Sequence, residues 1–359
     1  MSVRVAVVGL GWAGRELWLP LLSEHADFEV VAVVDTRPEA REAFGGVAGL
    51  PVYSTVEALS PRSVDLAVVA VPNFLHAEVA AALLGRGVSV FLEKPVCLTS
   101  AEADALAAAE RRGGAMLLAG SAAPYRADVG ALADVLPGLG RIRHVDLAWV
   151  RARGVPQAGG WFTQRSKAGG GVLLDLGWHL LDTLASLLGP ARFAQVVGVT
   201  ANDFVNAGSW SAAWRHDRPA AEAAGDVEDT ARGFLVREDG VSVSLHASWA
   251  SHEARDVTRI QVVGGEGTAE LRCTFGFSPN RRPSELTLTR EGATTPVPVP
   301  DEPVGNEYRR QLDRLAAVLA DPLNRGRAIG EARTTVGVIE DFYASALSAR
   351  TPDAVPAYR

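Results

Sequence analysis

Lysine is almost missing from this chain: of its 35 lysines and arginines, only Lys94 and Lys167 are lysine. Arginine is always protonated, whereas a lysine ammonium is a compact charge whose pKa moves on burial. A lysine retained in "FLEKPVCLTS" therefore marks either a chemical task or a chance survival. Cysteine is as scarce. Cys97 and Cys273 alone exclude a disulfide framework and a cysteine-rich metal site, and they suit a reducing cytoplasm. Positive charge is not in excess either; the formal net charge of -7 argues against a nucleic-acid surface. Apolar segments such as "VDLAVVAVPNF" are too short to span a bilayer, and "MSVRVAVVGLGW" lacks the basic start of a leader. These absences lead to the expectation of a cytoplasmic protein with a small-molecule partner, no nucleic-acid or membrane partner and no metal.

Glycine is placed where it has consequences. The β-branched run "VRVAVV" passes into "GLGWAG" and then into a helical pattern near Arg15. Strand, glycine turn and helix form the context in which GxGxxG signals a dinucleotide site. Gly9 permits the tight turn, Gly11 lets backbone approach a pyrophosphate, and Gly14 allows close packing of helix on strand. Trp12 and Ala13 lie inside the same turn and join the candidate cofactor residues. A second apolar run, "FEVVAVV", ends at Asp35, whose carboxylate suits the adenosine ribose hydroxyls and favours NAD(H). Thr36 and Arg37 follow, and an arginine there can turn toward a 2'-phosphate, so NADP(H) stays open.

Strands and helices go on alternating through "VDLAVVAVP", "HAEVAAALLGRG", "VSVFLE", "SAEADALAAAERRGG" and "AMLLAG". Uninterrupted apolar strands between helices predict a parallel sheet covered on both faces. Such sheets bind ligands outside the carboxyl ends of their strands, where the loops "VPNFLH" and "EKPV" fall. Lys94 is thereby expected at the cofactor crevice beside Glu93, with its backbone kept from the helical region by Pro95. Pro72 and Asn73 are candidates to border the nicotinamide ribose. His76 shares that edge, ranked below Lys94 because a lone histidine at a helix start is commonly a cap or a packing residue.

The other informative stretch is "GGWFTQRSKAGGGVLLDLGWHLLDTLASLLG". After Gly171 an apolar helical period runs to Leu188, and Asp175 and His179, four apart, share one face. Asp182 lies near the same side and could orient the imidazole. Spacing alone permits two readings: an acid/base pair, or a helix N-terminal acid with a histidine packed in an interface.

Taken together, "GLGWAG", "VPNFLHAE", "EKPV" and "AGGGVLLDLGWHLLD", in this order, resemble the glucose-fructose oxidoreductase/inositol dehydrogenase/MocA (Gfo/Idh/MocA) family over essentially the whole chain. The resemblance implies an α/β protein with an N-terminal Rossmann domain, a doubly wound parallel sheet binding NAD(P), over 1–123. It implies a C-terminal α/β domain over 124–359 with an open, mainly antiparallel sheet for substrate binding and homo-oligomerisation as a dimer or tetramer. The family's catalytic lysine, aspartate and histidine match Lys94, Asp175 and His179, and its activity implies hydride transfer at a hydroxyl-bearing carbon of a sugar, cyclitol or related polyol. Five runs from "DTARGFLVRED" to "ELTLTREG" independently read as hairpin-linked strands. Two amphipathic helices close the sequence, and "AAWRHDRPAAEAAGDVED" reads as a long loop near the substrate mouth.

On this reading His179 is the acid/base, Asp175 steers it or binds substrate, and Lys94 either stabilises alkoxide charge or carries the proton itself. Tyr125, Trp161 and Trp178 are candidate substrate-stacking residues, with interdomain core the favoured reading for any single one of them. Trp178 stands where the family commonly has a smaller residue. A catalytically silent nucleotide-binding sensor and an NAD-dependent glycoside hydrolase are the competing functions.

Overall fold

The computed structural model describes residues 2–45, 49–156, 159–212 and 224–349. Most of the long loop expected near the substrate lies outside them. The chain forms two compact units: residues through Ala122 together with Asn306–Val336, and Ala123–Gly305 together with the chain from Gly337. The expected division ran from 124 to the end without interruption; the structure instead returns 306–336 to the first unit. The amphipathic period of that segment announced a helix and not the surface it covers.

In the first unit six parallel strands stand in the order β3-β2-β1-β4-β5-β6. They are β1 (Val3–Val8), β2 (Phe28–Val34), β3 (Val52–Tyr53), β4 (Leu66–Val69), β5 (Ser89–Glu93) and β6 (Leu117–Gly120). Leu66 to Val69 are all fully buried, the leucine and the two valines each worth about 1.5–3 kcal/mol of apolar burial; this explains why the central strands lack polar alternation. The order reverses between β1 and β4, the switch point outside whose strand ends such sheets bind ligands. Helices α1 (Leu19–Glu24), α2 (Pro38–Gly45), α3 (His76–Gly85) and α4 (Ser100–Gly113) connect the strands. Thr99 Oγ1 caps α4 by accepting the Glu102 amide at 3.1 Å, while Glu102 Oε2 accepts the Leu98 amide at 2.7 Å. Gly114 ends that helix in the left-handed region at φ 66°, where glycine meets no steric penalty.

The second unit opens with α5 (Ala127–Val135) and builds a sheet in the order β14-β13-β12-β11-β7-β10-β9-β8. Its strands are β7 (Ile142–Val150), β8 (Phe193–Ala201), β9 (Thr230–Arg237), β10 (Ser242–Ser248), β11 (Val257–Gly264), β12 (Thr268–Cys273), β13 (Glu285–Arg290) and β14 (Ala293–Val297). All neighbours pair antiparallel except β7 and β10. Strands β3, β8 and β14 carried no sequence expectation. Burial alternates along β10 and β11, so one face is covered and the other open.

Helices α6 (Arg165–Ala168) and α7 (Trp178–Leu188) precede β8; α8 (Asn306–Ala320) and α9 (Arg327–Ser348) follow β14. Gly198 and Gly233 sit opposite one another on β8 and β9. A Cβ on either would lie 2.4 or 2.2 Å from the Phe342 ring, so this glycine pair is the slot that seats α9. The run Arg165–Leu188 is long and apolar enough to cross a bilayer by composition, which the sequence reading missed; 61% of its apolar window is buried inside the fold.

Candidate active site

The three glycines after β1 divide their work. Gly9 has φ +97°, and a Cβ there would lie 2.5 Å from Ala70 O; one on Gly14 would lie 1.9 Å from Gly9 O. Both are fixed by backbone packing. Over Gly11 a Cβ would meet nothing within 4 Å, the open approach that a pyrophosphate needs. The next helix begins with a π-helical turn over Ala13–Trp18, anchored where the Arg15 amide donates to Gly11 O at 2.9 Å, and Trp12 is half exposed. These features fit a dinucleotide at the turn.

Asp35 is buried at the end of β2. Its Oδ2 accepts the Leu10 amide at 2.8 Å, which ties the end of β2 to the glycine turn. Arg37 grips the same carboxylate: Nε donates to Oδ1 at 3.1 Å and Nη2 to Oδ2 at 3.0 Å. Burial pushes the Asp35 pKa up, but the Arg37 and Leu10 bonds outweigh it and the carboxyl lies below its ordinary value. Arg41 Nη1 donates to the carbonyls of Asp35 and Thr36, both at 2.8 Å. Sequence reading missed Arg41.

Beyond β4 and β5, two residues expected at the cofactor make inward hydrogen bonds. His76 is buried, its Nδ1 2.7 Å from Pro95 O and its Nε2 2.8 Å from Val71 O. Carbonyls only accept, so a neutral ring donates to one of them at a time. Burial holds its pKa below the ordinary value despite both carbonyls, with Lys94 acting in the same direction as burial. His76 thus ties together the two loops. Glu93 likewise turns inward. Its Oε1 accepts Trp18 Nε1–H at 2.7 Å and its Oε2 accepts the Lys94 amide at 3.0 Å. Burial raises the Glu93 pKa against the pull of Lys94 and Trp18. Lys94, half-buried, is therefore held by Glu93 at its own amide and by His76 at the following carbonyl, across a cis bond to Pro95. Asn73 is buried and Pro72 half-buried in the neighbouring loop.

In the second unit Asp175 lies on a π-helical turn, Leu173–Gly177, and His179 on the first turn of α7. Single π turns inside helices are rare and recur at functional sites; the sequence pattern predicted an uninterrupted α-helix. Asp175 Oδ2 accepts Trp249 Nε1–H at 2.9 Å. His179 packs against Trp149 with ring centroids 5.6 Å apart, and Trp149 meets Phe275 edge-on at 5.4 Å. Of the aromatics singled out in the sequence, Tyr125 and Trp161 are half-buried. Trp161 reaches Trp249 through Phe162, at centroid distances of 4.9 and 6.0 Å. Trp178 is buried core, whereas Asp175 and His179 are half-buried. Trp149 and Trp249, the neighbours of His179 and Asp175, were revealed by no local spacing. Among the described residues no group of three His, Cys, Asp or Glu could hold a metal ion.

The family model described as the oxidoreductase family with an NAD-binding Rossmann fold matches residues 3–121, and the GFO/IDH/MocA C-terminal domain matches residues 138–270. The chain belongs to the Gfo/Idh/MocA family. This Gfo/Idh/MocA protein is an oxidoreductase whose first unit is an NAD(P)-binding Rossmann domain. It is 72% identical, over 100% of both chains, to a protein of Amycolatopsis mediterranei (strain S699) provisionally named UDP-kanosamine synthase oxidoreductase subunit. With the D-glucoside 3-dehydrogenase of Escherichia coli (strain K12) it shares 28% identity, over 80% of this chain and 82% of that one. Among solved structures, GenD2 from gentamicin A biosynthesis, in complex with NAD, superposes with a TM-score of 0.75 at 26% identity, covering 97% of this chain and 95% of that one.

Proposed function

We propose that the protein oxidises the C3 hydroxyl of a UDP-hexose to a ketone, passing hydride to NAD. The single observation that carries the substrate is the full-length 72% identity to a UDP-kanosamine synthase oxidoreductase subunit. Kanosamine bears its amine at C3, so its formation from a hexose needs a C3 ketone first. The 3-position in the name of the Escherichia coli relative supports the same carbon.

Bound nicotinamide supplies the hydride acceptor; the chain's own residues manage the proton and the charge. Gly11 and the amides at the start of the following helix would hold the pyrophosphate, and Asp35 the adenosine ribose. His179 accepts the hydroxyl proton as hydride leaves the carbon, a task suited to an imidazole, which can both take up and return a proton. Asp175 orients that chemistry from its bond to Trp249. Lys94 stabilises alkoxide charge. The Asp35 carboxylate supports NAD(H) over NADP(H), while Arg37 and Arg41 beside it are the groups that would serve a 2'-phosphate.

The ketone would be consumed by an amine-transferring partner, in keeping with the word subunit in the relative's name. Val197, Val199 and Phe234, between 48% and 60% exposed on β8 and β9, support a homo-oligomer formed through the open sheet face. Nicotinamide absorbance with UDP-hexoses, free hexoses and cyclitols, each with NAD and NADP, tests the reading. Turnover with UDP-glucose and NAD is expected. Turnover confined to free sugars or to NADP would overturn the corresponding part.

A further inference from the structure

Two glycines of "AGGG" are fixed by what lies against them. A Cβ on Gly170 would fall 2.0 Å from the Tyr343 hydroxyl oxygen, and one on Gly171 would fall 1.9 Å from the Glu228 carbonyl oxygen. Glu228 then collects three successive amides. Gly171 and Leu173 donate to its Oε1 at 2.9 and 3.1 Å, and Val172 donates to its backbone oxygen at 3.0 Å. The Tyr343 hydroxyl donates to the same Oε1 at 2.7 Å, while Arg165 Nη2 donates to Oε2 at 3.2 Å. The Arg165 guanidinium also stands over the Tyr343 ring, 5.2 Å from its centroid.

A carboxylate this deeply buried, 3% exposed, is costly unless its charge is met by donors. Here the donors are the first amides of the helical turn, where the backbone dipole also favours negative charge. The Asp175 amide donates to Gly171 O at 3.1 Å, so the grip of Glu228 reaches Asp175 through one further backbone bond. We propose that Glu228, locked by Tyr343 and Arg165, is the positioning residue that sets the helical turn carrying Asp175 and His179. The inference rests on the reading that those two residues do the acid–base work. Glu228 touches no reacting atom; it acts through the backbone of the turn.

Glu228→Gln keeps an oxygen for the two amides and the Tyr343 hydroxyl; its NH2 cannot accept from Arg165, whose half-exposed guanidinium turns to solvent. Glu228→Ala removes every side-chain bond. Hydrogen exchange over residues 169–176 reports the clamp without any substrate, and single-turnover hydride transfer per folded molecule reports its consequence, with His179→Ala measured alongside. Glu228→Ala is expected to speed exchange of those amides and to slow hydride transfer, each by about tenfold or more, with cofactor affinity within about twofold of native. Glu228→Gln should restore both, and Tyr343→Phe should fall between. If Glu228→Ala fails to fold, Glu228→Asp, which withdraws the carboxylate by one methylene, takes its place with the same expectations. Native exchange in the truncated variant, or native hydride transfer there while His179→Ala is inactive, overturns the proposal. Native hydride transfer in His179→Ala overturns the acid–base reading instead, whatever the exchange shows.

Discussion

Trp249 Nε1 donates to Asp175 Oδ2 at 2.9 Å, across 74 positions of sequence. The bond fixes one oxygen of the carboxylate and ties the chain just after β10 to the turn before α7. Trp249→Phe keeps most of the apolar surface and removes the donor. A hydrogen bond to a charged group is worth roughly 1.5–3 kcal/mol. If it orients Asp175 for the reaction, single-turnover hydride transfer falls by about 10- to 100-fold while cofactor affinity stays native. Stopped-flow absorbance with a parallel cofactor titration checks the split; equal losses in both would show a general packing defect.

Lys94→Arg should leave cofactor binding largely intact and lower turnover by orders of magnitude, because a planar guanidinium cannot occupy the place of a compact ammonium. Its backbone is fixed on both sides: the Lys94 amide donates to Glu93, and the Pro95 carbonyl lies against His76. Steady-state rates at saturating cofactor provide the measurement. Near-native turnover would return this lysine to chance.

The glycine turn yields a contrast between two alanines. Gly11→Ala meets open space and Gly14→Ala meets Gly9 O at 1.9 Å. The first should keep a native melting temperature and weaken NAD binding, since the added methyl occupies the phosphate approach. The second should unfold several degrees lower, as about 1–3 kcal/mol of overpacking shifts a transition. Calorimetry beside a fluorescence titration separates them; matching stability losses in both would refute the assigned roles.

The Rossmann half was legible because its cues are local: a β-branched run, a glycine turn, a helix and an acid at the next strand end lie within the first 35 residues. Lys94, Asp175 and His179 were legible as motif positions. Trp249, Trp149, Glu228 and Tyr343 were not, because their pairing comes from strand register and helix docking, with no periodicity to announce it. Trp178 is buried; neighbouring residues of a helix point about 100° apart, so its place beside His179 in sequence does not put it on the same face. The inward commitment of His76 depends on two loops meeting and that of Glu93 on Trp18 of a distant helix, and the return of α8 to the first unit depends on packing that an amphipathic stripe does not specify.

His246, on β10, has its pKa lowered to about 4 by burial and by the charges of Arg232 and Arg259. Its folded value lies below the unfolded one, so the unfolded chain binds the proton first as pH falls. The associated stability is complete above about pH 6.5 and is lost between there and about pH 4, amounting at most to about 3 kcal/mol. His246→Gln should flatten the fall of melting temperature across that window. An unchanged profile from pH 7 to pH 4.5 would show that His246 is not the group responsible.

The most direct test of C3 oxidation follows one atom. UDP-glucose deuterated at C3 is incubated with the protein and NAD, and the reduced cofactor is analysed by mass spectrometry. Direct hydride transfer from that carbon predicts one deuterium on the nicotinamide ring, together with a 3-keto product and a slower rate than with unlabelled sugar wherever hydride transfer limits turnover. Reduced cofactor carrying no deuterium, or no reduction at all with this substrate, would contradict the account.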